Sequence, residues 1–207
     1  NTKERIDTGS NSDQYIFNVV WTPAGELSFY RVNRLQNHFE VLLREESGVV
    51  RTIYEEKSLT YVERPSASTI RFVDGERFIV CEETTAGYNH LYLHSTKRGR
   101  LNAITSGRWE VTSVMGIDKG RLYYLSTERS PLGRDLYSVG LNGKGKTCLT
   151  HDGGFNTIAP SKGMRYYIRT ATAADMPNVV TVHNASDKVI DTLLDNRAAV
   201  ASRGVWA

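Results

Sequence analysis

A strand-forming run returns along this chain roughly every 45 residues, and that period constrains the fold more than any other feature. One run begins near Leu27, Phe78, Leu122 and Tyr166. The next begins near Phe39, Leu91, Leu136 and Val179. In three of these four places a polar pair stands just before it: Asn37-His38, Asn89-His90 and Arg134-Asp135. After a Gly- or Asn-containing turn comes a last run, at 49–54, 101–105, 147–150 and 189–194. The runs are rich in Tyr, Phe, Val, Ile and Leu, as in Leu122-Tyr123-Tyr124-Leu125, which suits a pleated, half-buried surface. Asp74-Gly75, Lys119-Gly120 and Asn142-Gly143 fall where hairpins need turns. No long segment carries apolar residues at the i, i+3, i+4, i+7 spacing of an amphipathic helix.

Four strands in each unit of about 40–50 residues is the pattern of a β-propeller blade. One antiparallel blade buries its faces only against its neighbours, so blades come in series. The expected fold is all-β: a β-propeller of about four four-stranded antiparallel blades, over residues 14–60, 61–107, 108–153 and 154–196. Four blades either close as a small ring or form part of a larger one, and the count leaves both open. Residues 1–13 read as a polar lead-in and 197–207 as an exit linker.

Composition narrows the function classes. The net charge of +3 is spread along the chain, and its densest basic cluster, Lys97-Arg98-Gly99-Arg100, sits in a turn. Neither a one-sided basic face nor a nucleic-acid-binding motif is present, so no nucleic-acid partner is expected. No stretch approaches the ~20 apolar residues that a membrane-spanning helix needs. The chain begins at Asn1 rather than Met, which reads as a processed protein or an excised piece. Two cysteines, Cys81 and Cys148, are too few for a disulfide framework and read as small buried hydrophobes.

Catalytic signatures are missing. There is no G-x-S-x-G elbow to present a nucleophilic serine, and no glycine-rich phosphate loop followed by a helix. The histidines are His38, His90, His94, His151 and His183. None forms an H-E-x-x-H pair, and there is no Cys-x-x-Cys, so neither a metal nor a cofactor is expected. His90 and His94 point to one face of a strand but stand about 13 Å apart, too far to share an ion. His38 and His90 occupy equivalent points of two repeats and are expected to hydrogen-bond within the turn. Glu45-Glu46, Glu55-Glu56 and Glu82-Glu83 could hold a cationic amine, but adjacent strand residues face opposite sides, so solvated hairpin positions are the simpler account. Tyr61, Tyr88 and Trp109 either line a peptide surface or fill space between blades, and for Trp109 the structural role is favoured.

The ordered motifs resemble the propeller of dipeptidyl peptidase IV and its relatives in the prolyl oligopeptidase clan. Gly87-Tyr88-Asn89-His90-Leu91-Tyr92 is similar to the family's G-Y-x-H-[IL] strand start, and Ile104-Thr105-Ser106-Gly107-Arg108-Trp109-Glu110-Val111 to its I-T-x-G-x-W-E-V segment. Leu122-Tyr123-Tyr124-Leu125-Ser126 and Gly133-Arg134-Asp135-Leu136-Tyr137 resemble L-Y-Y-I-S and G-R-x-L-Y, and the likeness covers roughly residues 15–196. It implies the second half of an eight-bladed propeller that precedes an α/β-hydrolase domain in the same polypeptide. The parent would be a serine dipeptidyl aminopeptidase, with peptide as substrate, a homodimeric state and a periplasmic or extracellular location. The family's catalytic triad and its amine-binding glutamate pair would lie outside this sequence. The resemblance carries one substrate-binding candidate, Arg64, in the segment Tyr61-Val62-Glu63-Arg64-Pro65. It also implies no disulfide at Cys148, since the family's neighbouring cysteines are missing. A stand-alone propeller scaffold that binds proteins is the competing reading.

Overall fold

The computed structural model describes residues 3–62, 70–84 and 86–202. Strands within them form four four-stranded antiparallel sheets. The first holds β1 (Gln14–Trp21), β2 (Leu27–Asn33), β3 (His38–Arg44) and β4 (Val50–Lys57). The second holds β5 (Ile70–Phe72), β6 (Arg77–Glu83), β7 (Asn89–Ser95) and β8 (Gly99–Ala103). The third holds β9 (Val111–Asp118), β10 (Arg121–Ser126), β11 (Asp135–Gly140) and the two-residue β12 (Thr147–Cys148). The fourth holds β13 (Phe155–Pro160), β14 (Tyr166–Ala173), β15 (Met176–Asn184) and β16 (Val189–Asp195). Every sheet is a meander, each strand pairing with the next in sequence.

The meander follows from local chemistry. Lys119 and Gly120 both take positive φ, 47° and 76°, between the paired residues Asp118 and Arg121. A two-residue hairpin loop with both φ positive matches the right-handed twist of its strands, and glycine adopts it without steric cost. The inner strands read as nearly continuous apolar runs because they are covered on both faces. In β3 all five residues between His38 and Arg44 are buried, and in β10 all five after Arg121. The outermost strand β16 is exposed throughout.

The chain divides into two compact units, Asn1–Val80 with Leu93–Leu101, and Cys81–Tyr92 with Asn102–Ala207. In the first, Tyr30, Val32, Phe39, Val41, Leu43 and Ile53 of the first sheet form one core with Ile70, Phe78 and Val80 of β5 and β6. In the second, Tyr123, Leu125 and Leu136 of the third sheet form one core with Ile158 and Tyr167 of the fourth, completed by Leu149 and Met164. Each core therefore joins side chains from consecutive sheets, which is how blades bury their faces.

Among the described residues helix is confined to a 3-10 turn at Lys162–Met164 and the short α1 (Arg197–Ala201). No helix among the described residues is long and apolar enough to cross a membrane. Both cysteines are free and half-buried. Burial, reinforced by the charges of Glu82 and Glu110, pushes the Cys81 thiol up to about 12.

Candidate functional site

Arg64, the substrate-binding residue expected from the sequence, lies outside the described residues. The chain on either side of it is anchored: Val62 and Ile70 are both buried in the first core. The Val62 N–H donates to the Gln36 carbonyl at 2.8 Å.

The sequence suggested that the two repeat-equivalent histidines bond within their turns; the His38 backbone N–H does so, donating to Asn33 Oδ1, but neither imidazole ring does. Each reaches across its sheet instead, because its strand is an inner one and the nearest polar groups belong to the outer neighbour. His90 is 1% exposed. Its Nδ1 meets the Thr105 hydroxyl at 3.1 Å and its Nε2 the Gly107 carbonyl at 3.0 Å. A carbonyl only accepts, so in the neutral ring Nε2 carries the proton and the Thr105 hydroxyl donates to Nδ1. The same hydroxyl accepts the Leu91 N–H at 2.9 Å.

The third sheet repeats this clasp with a different residue. Asp135 stands where His90 stood, and the Thr150 hydroxyl donates to its carboxylate at 2.8 Å while accepting the Leu136 N–H at 3.0 Å. Both threonines lie 15 residues after the residue they hold. The motif residues Ile104-Thr105-Ser106-Gly107 and the segment Leu149-Thr150-His151-Asp152 thus close a sheet by tying its third strand to the chain leaving the fourth.

Trp109 has the structural role that the sequence favoured. Its indole stacks on Tyr124 at 6.3 Å with planes 8° apart, and meets the His90 ring edge-on at 4.7 Å. A Cβ at Gly107, where φ is +147°, would run into that indole, so the glycine of the motif makes room for its tryptophan. Tyr61 is exposed and Tyr88 half-buried.

Two of the three glutamate pairs lie on strands and split as strand geometry requires, while Glu45-Glu46 stands in the turn after β3. Glu82 is buried and Glu83 exposed on β6. Glu45 pairs with Arg51 at 2.6 Å. Glu55 turns to the face that also carries His38 and Glu40. His38 Nε2 lies 2.7 Å from Glu55 Oε1 and 3.9 Å from Glu40 Oε2. Among the described residues these three could jointly offer ligand atoms to one ion, all within 4.8 Å of one another. Sequence reasoning missed the grouping, although His38-x-Glu40 places two such groups on one strand face. Burial alone would raise the Glu40 carboxyl, but hydrogen bonds from Arg31 (2.7 Å) and Thr52 (3.0 Å) outweigh it and hold it below its ordinary value. Hydrogen bonds from Lys57 and then His38 hold Glu55 low as well.

A cleft of about 250 Å³ opens on the fourth sheet, lined by Asp152, Arg169, Thr181, His183, Thr192 and Arg197 among others. Its charges are already matched. Arg169, 6% exposed, donates to Asp152 at 2.5 Å and to Asn156 at 2.7 Å. Arg197 holds the exposed Asp195 carboxyl down to about 2. Burial would raise Asp152, but the Arg169 hydrogen bond prevails and its carboxyl sits below the ordinary range. A carboxyl lowered in the folded state contributes stability that is intact above its unfolded value of about 3.9 and is lost as pH falls through the folded value. Asp152→Asn should therefore lower Tm at pH 7, and by progressively less as pH falls below about 3.9. Thermal melts across that range check this, and parallel curves for the two proteins would contradict it.

A family model described as dipeptidyl peptidase IV (DPP IV) N-terminal region matches residues 1–178. The chain belongs to this family. A solved structure of Porphyromonas gingivalis dipeptidyl peptidase 4 is 32% identical, with a TM-score of 0.86 over 98% of this chain and 29% of that one. Dipeptidyl peptidase 4 of Arthroderma otae is 27% identical over 207 residues, 91% of this chain and 26% of that protein. A solved structure from Bacteroides ovatus, 24% identical with a TM-score of 0.73 over 91% of this chain and 30% of that one, shows the same fold. The chain spans about a quarter of the length of the curated relatives it matches. As a member of the dipeptidyl peptidase IV N-terminal family it is a partial β-propeller whose four sheets are four blades.

Proposed function

We propose that this chain is the non-catalytic propeller part of a serine exopeptidase that releases dipeptides from peptide N-termini, and that it gates and positions the peptide. The observation carrying this reading is the family match over residues 1–178, joined to coverage of only 26% of the relatives' length. The remaining length leaves room for an α/β-hydrolase domain in the same polypeptide, which would bring the serine, histidine and aspartate. Apolar side chains left in solvent support further blades on either flank. Tyr15, Val19 and Trp21 of β1 are exposed, as are Val189, Ile190, Leu193 and Leu194 of β16. In this reading Arg64 contacts the substrate, the parent is a homodimer, and it works in the periplasm or outside the cell.

The test has two arms. The isolated chain should not turn over a Gly-Pro chromogenic substrate, and serine-reagent-sensitive activity from it alone would overturn the proposal. The parent reading frame should carry a G-x-S-x-G elbow after residue 207, and in the parent Arg64→Ala should raise KM roughly tenfold or more with kcat little changed. A frame that ends without a hydrolase domain would favour a stand-alone protein-binding scaffold.

A further inference from the structure

We infer that His38, Glu40 and Glu55 form a binding site for a divalent transition ion of the zinc type, on one face of the first blade. The three side chains come from two strands. His38 and Glu40 are two apart on β3 and so share a face. Glu55 stands directly opposite Glu40 on β4. That pairing depends on a bulge. The register runs Leu43↔Arg51 and Leu42↔Thr52, then shifts to Val41↔Tyr54 and Glu40↔Glu55, leaving Ile53 unpaired. Without the extra residue Glu40 would face Tyr54, and Glu55 would turn to the other side of the sheet. Bulges re-aim side chains in this way and are over-represented beside functional sites.

The chemistry of the set fits the ion. Two carboxylates directly opposite on one face repel, and His38 Nε2 is the group held between them. Bonds of about 2.0–2.1 Å in a tetrahedral shell set ligand atoms about 3.3 Å apart. The observed 2.7 Å and 3.9 Å separations lie on either side of that value, within reach of small side-chain rotations. One imidazole and two carboxylates leave a fourth position for water, and imidazole favours zinc-type ions over magnesium or calcium.

The surroundings already resemble an outer shell. Arg31 and Thr52 each bond one oxygen of Glu40, fixing its orientation, and Asn33 accepts the His38 backbone N–H at 3.1 Å. The cluster is reachable from solvent, with side-chain exposures of 33% for His38 and 44% for Glu55. Lys57 now bonds Glu55 at 2.6 Å, but it is 63% exposed and such surface pairs are weak. On binding, the ion takes the place of the proton between Nε2 and Oε1, that proton passes through solvent to Nδ1, and the Lys57 ammonium swings into water. Arg31 stays paired with Glu40.

The experiment is calorimetric titration of Zn²⁺ into the full chain, with Mg²⁺ in excess, followed by the Co²⁺ absorption spectrum. One Zn²⁺ should bind per chain at this site without competition from Mg²⁺. His38→Gln and Glu55→Gln should each weaken it at least tenfold and abolish the Co²⁺ ligand-field bands, and Thr52→Val should weaken it about tenfold through Glu40. Lys57→Gln, a surface change, should fold normally and tighten binding. Absence of Zn²⁺ binding in the unsubstituted chain overturns the inference, as does binding that His38→Gln and Glu55→Gln leave unaltered. Each result is independent of the peptidase reading, which the zinc titration does not touch.

Discussion

Phe39→Ala should lower the unfolding free energy by about 3–5 kcal/mol, the largest single-residue loss expected in the first sheet. Phe39 is fully buried on an inner strand, where no backbone movement can close the space left by its ring. It meets Tyr30 edge-on at 5.3 Å and lies 6.4 Å from Phe17 and 6.3 Å from Tyr54. Part of the loss is transfer of the ring to water, part is the cavity, and roughly 0.5–1.5 kcal/mol more comes from each edge-on aromatic pair broken. Phe39→Leu keeps most of the volume and should cost less than half as much. Urea titrations of the three proteins provide the comparison. A loss under about 1 kcal/mol for the alanine variant would mean that the core refills, contrary to its packing.

Thr150→Val is nearly isosteric, yet it should cost about 2–3 kcal/mol. The hydroxyl of this fully buried residue serves two partners at once. Removing it leaves the Leu136 N–H without its acceptor and the Asp135 carboxylate, 2% exposed, without its donor. Arg129 stands 3.6 Å from that carboxylate and softens the loss without replacing the hydrogen bond. Thr105→Val should cost less, because its partner His90 is a neutral-capable ring still held by the Gly107 carbonyl, whereas Asp135 is a carboxylate. The same denaturant titrations rank the two. Equal and small effects would show that the hydroxyls are dispensable to sheet closure.

Strand placement was legible because two local signals agree. Apolar runs such as Leu122-Tyr123-Tyr124-Leu125 mark inner strands covered on both faces, and Lys119-Gly120 supplies the glycine that a two-residue primed turn favours. The runs expected to begin near Leu27, Phe78, Leu122 and Tyr166 begin β2, β6, β10 and β14 within a residue. The His38 grouping was illegible for a physical reason. Whether Glu55 faces Glu40 depends on one unpaired residue, Ile53, and a one-residue slip reverses every side chain beyond it. Nothing in the residue pattern of β4 announces that bulge. The clasps lay between these extremes. Thr105 sits in a visible motif and Thr150 at the end of a visible run, but their partners, 15 residues earlier, are recognisable only once the sheet is folded.

The shortness of β12 gives the third blade a weak margin. Only Cys148 and Thr147 pair with β11, opposite Tyr137 and Ser138, whereas β4 pairs seven residues with β3. Fraying of so short a ladder needs little free energy, so its amides are the first of that sheet to become visible to solvent. The Thr150 hydroxyl lies immediately beyond this ladder, clamped to the buried side of the sheet, and marks where opening stops. The blade can therefore breathe at its rim while its inner strands stay protected, and amide exchange along residues 144–150 would rise and then fall sharply at the clasp.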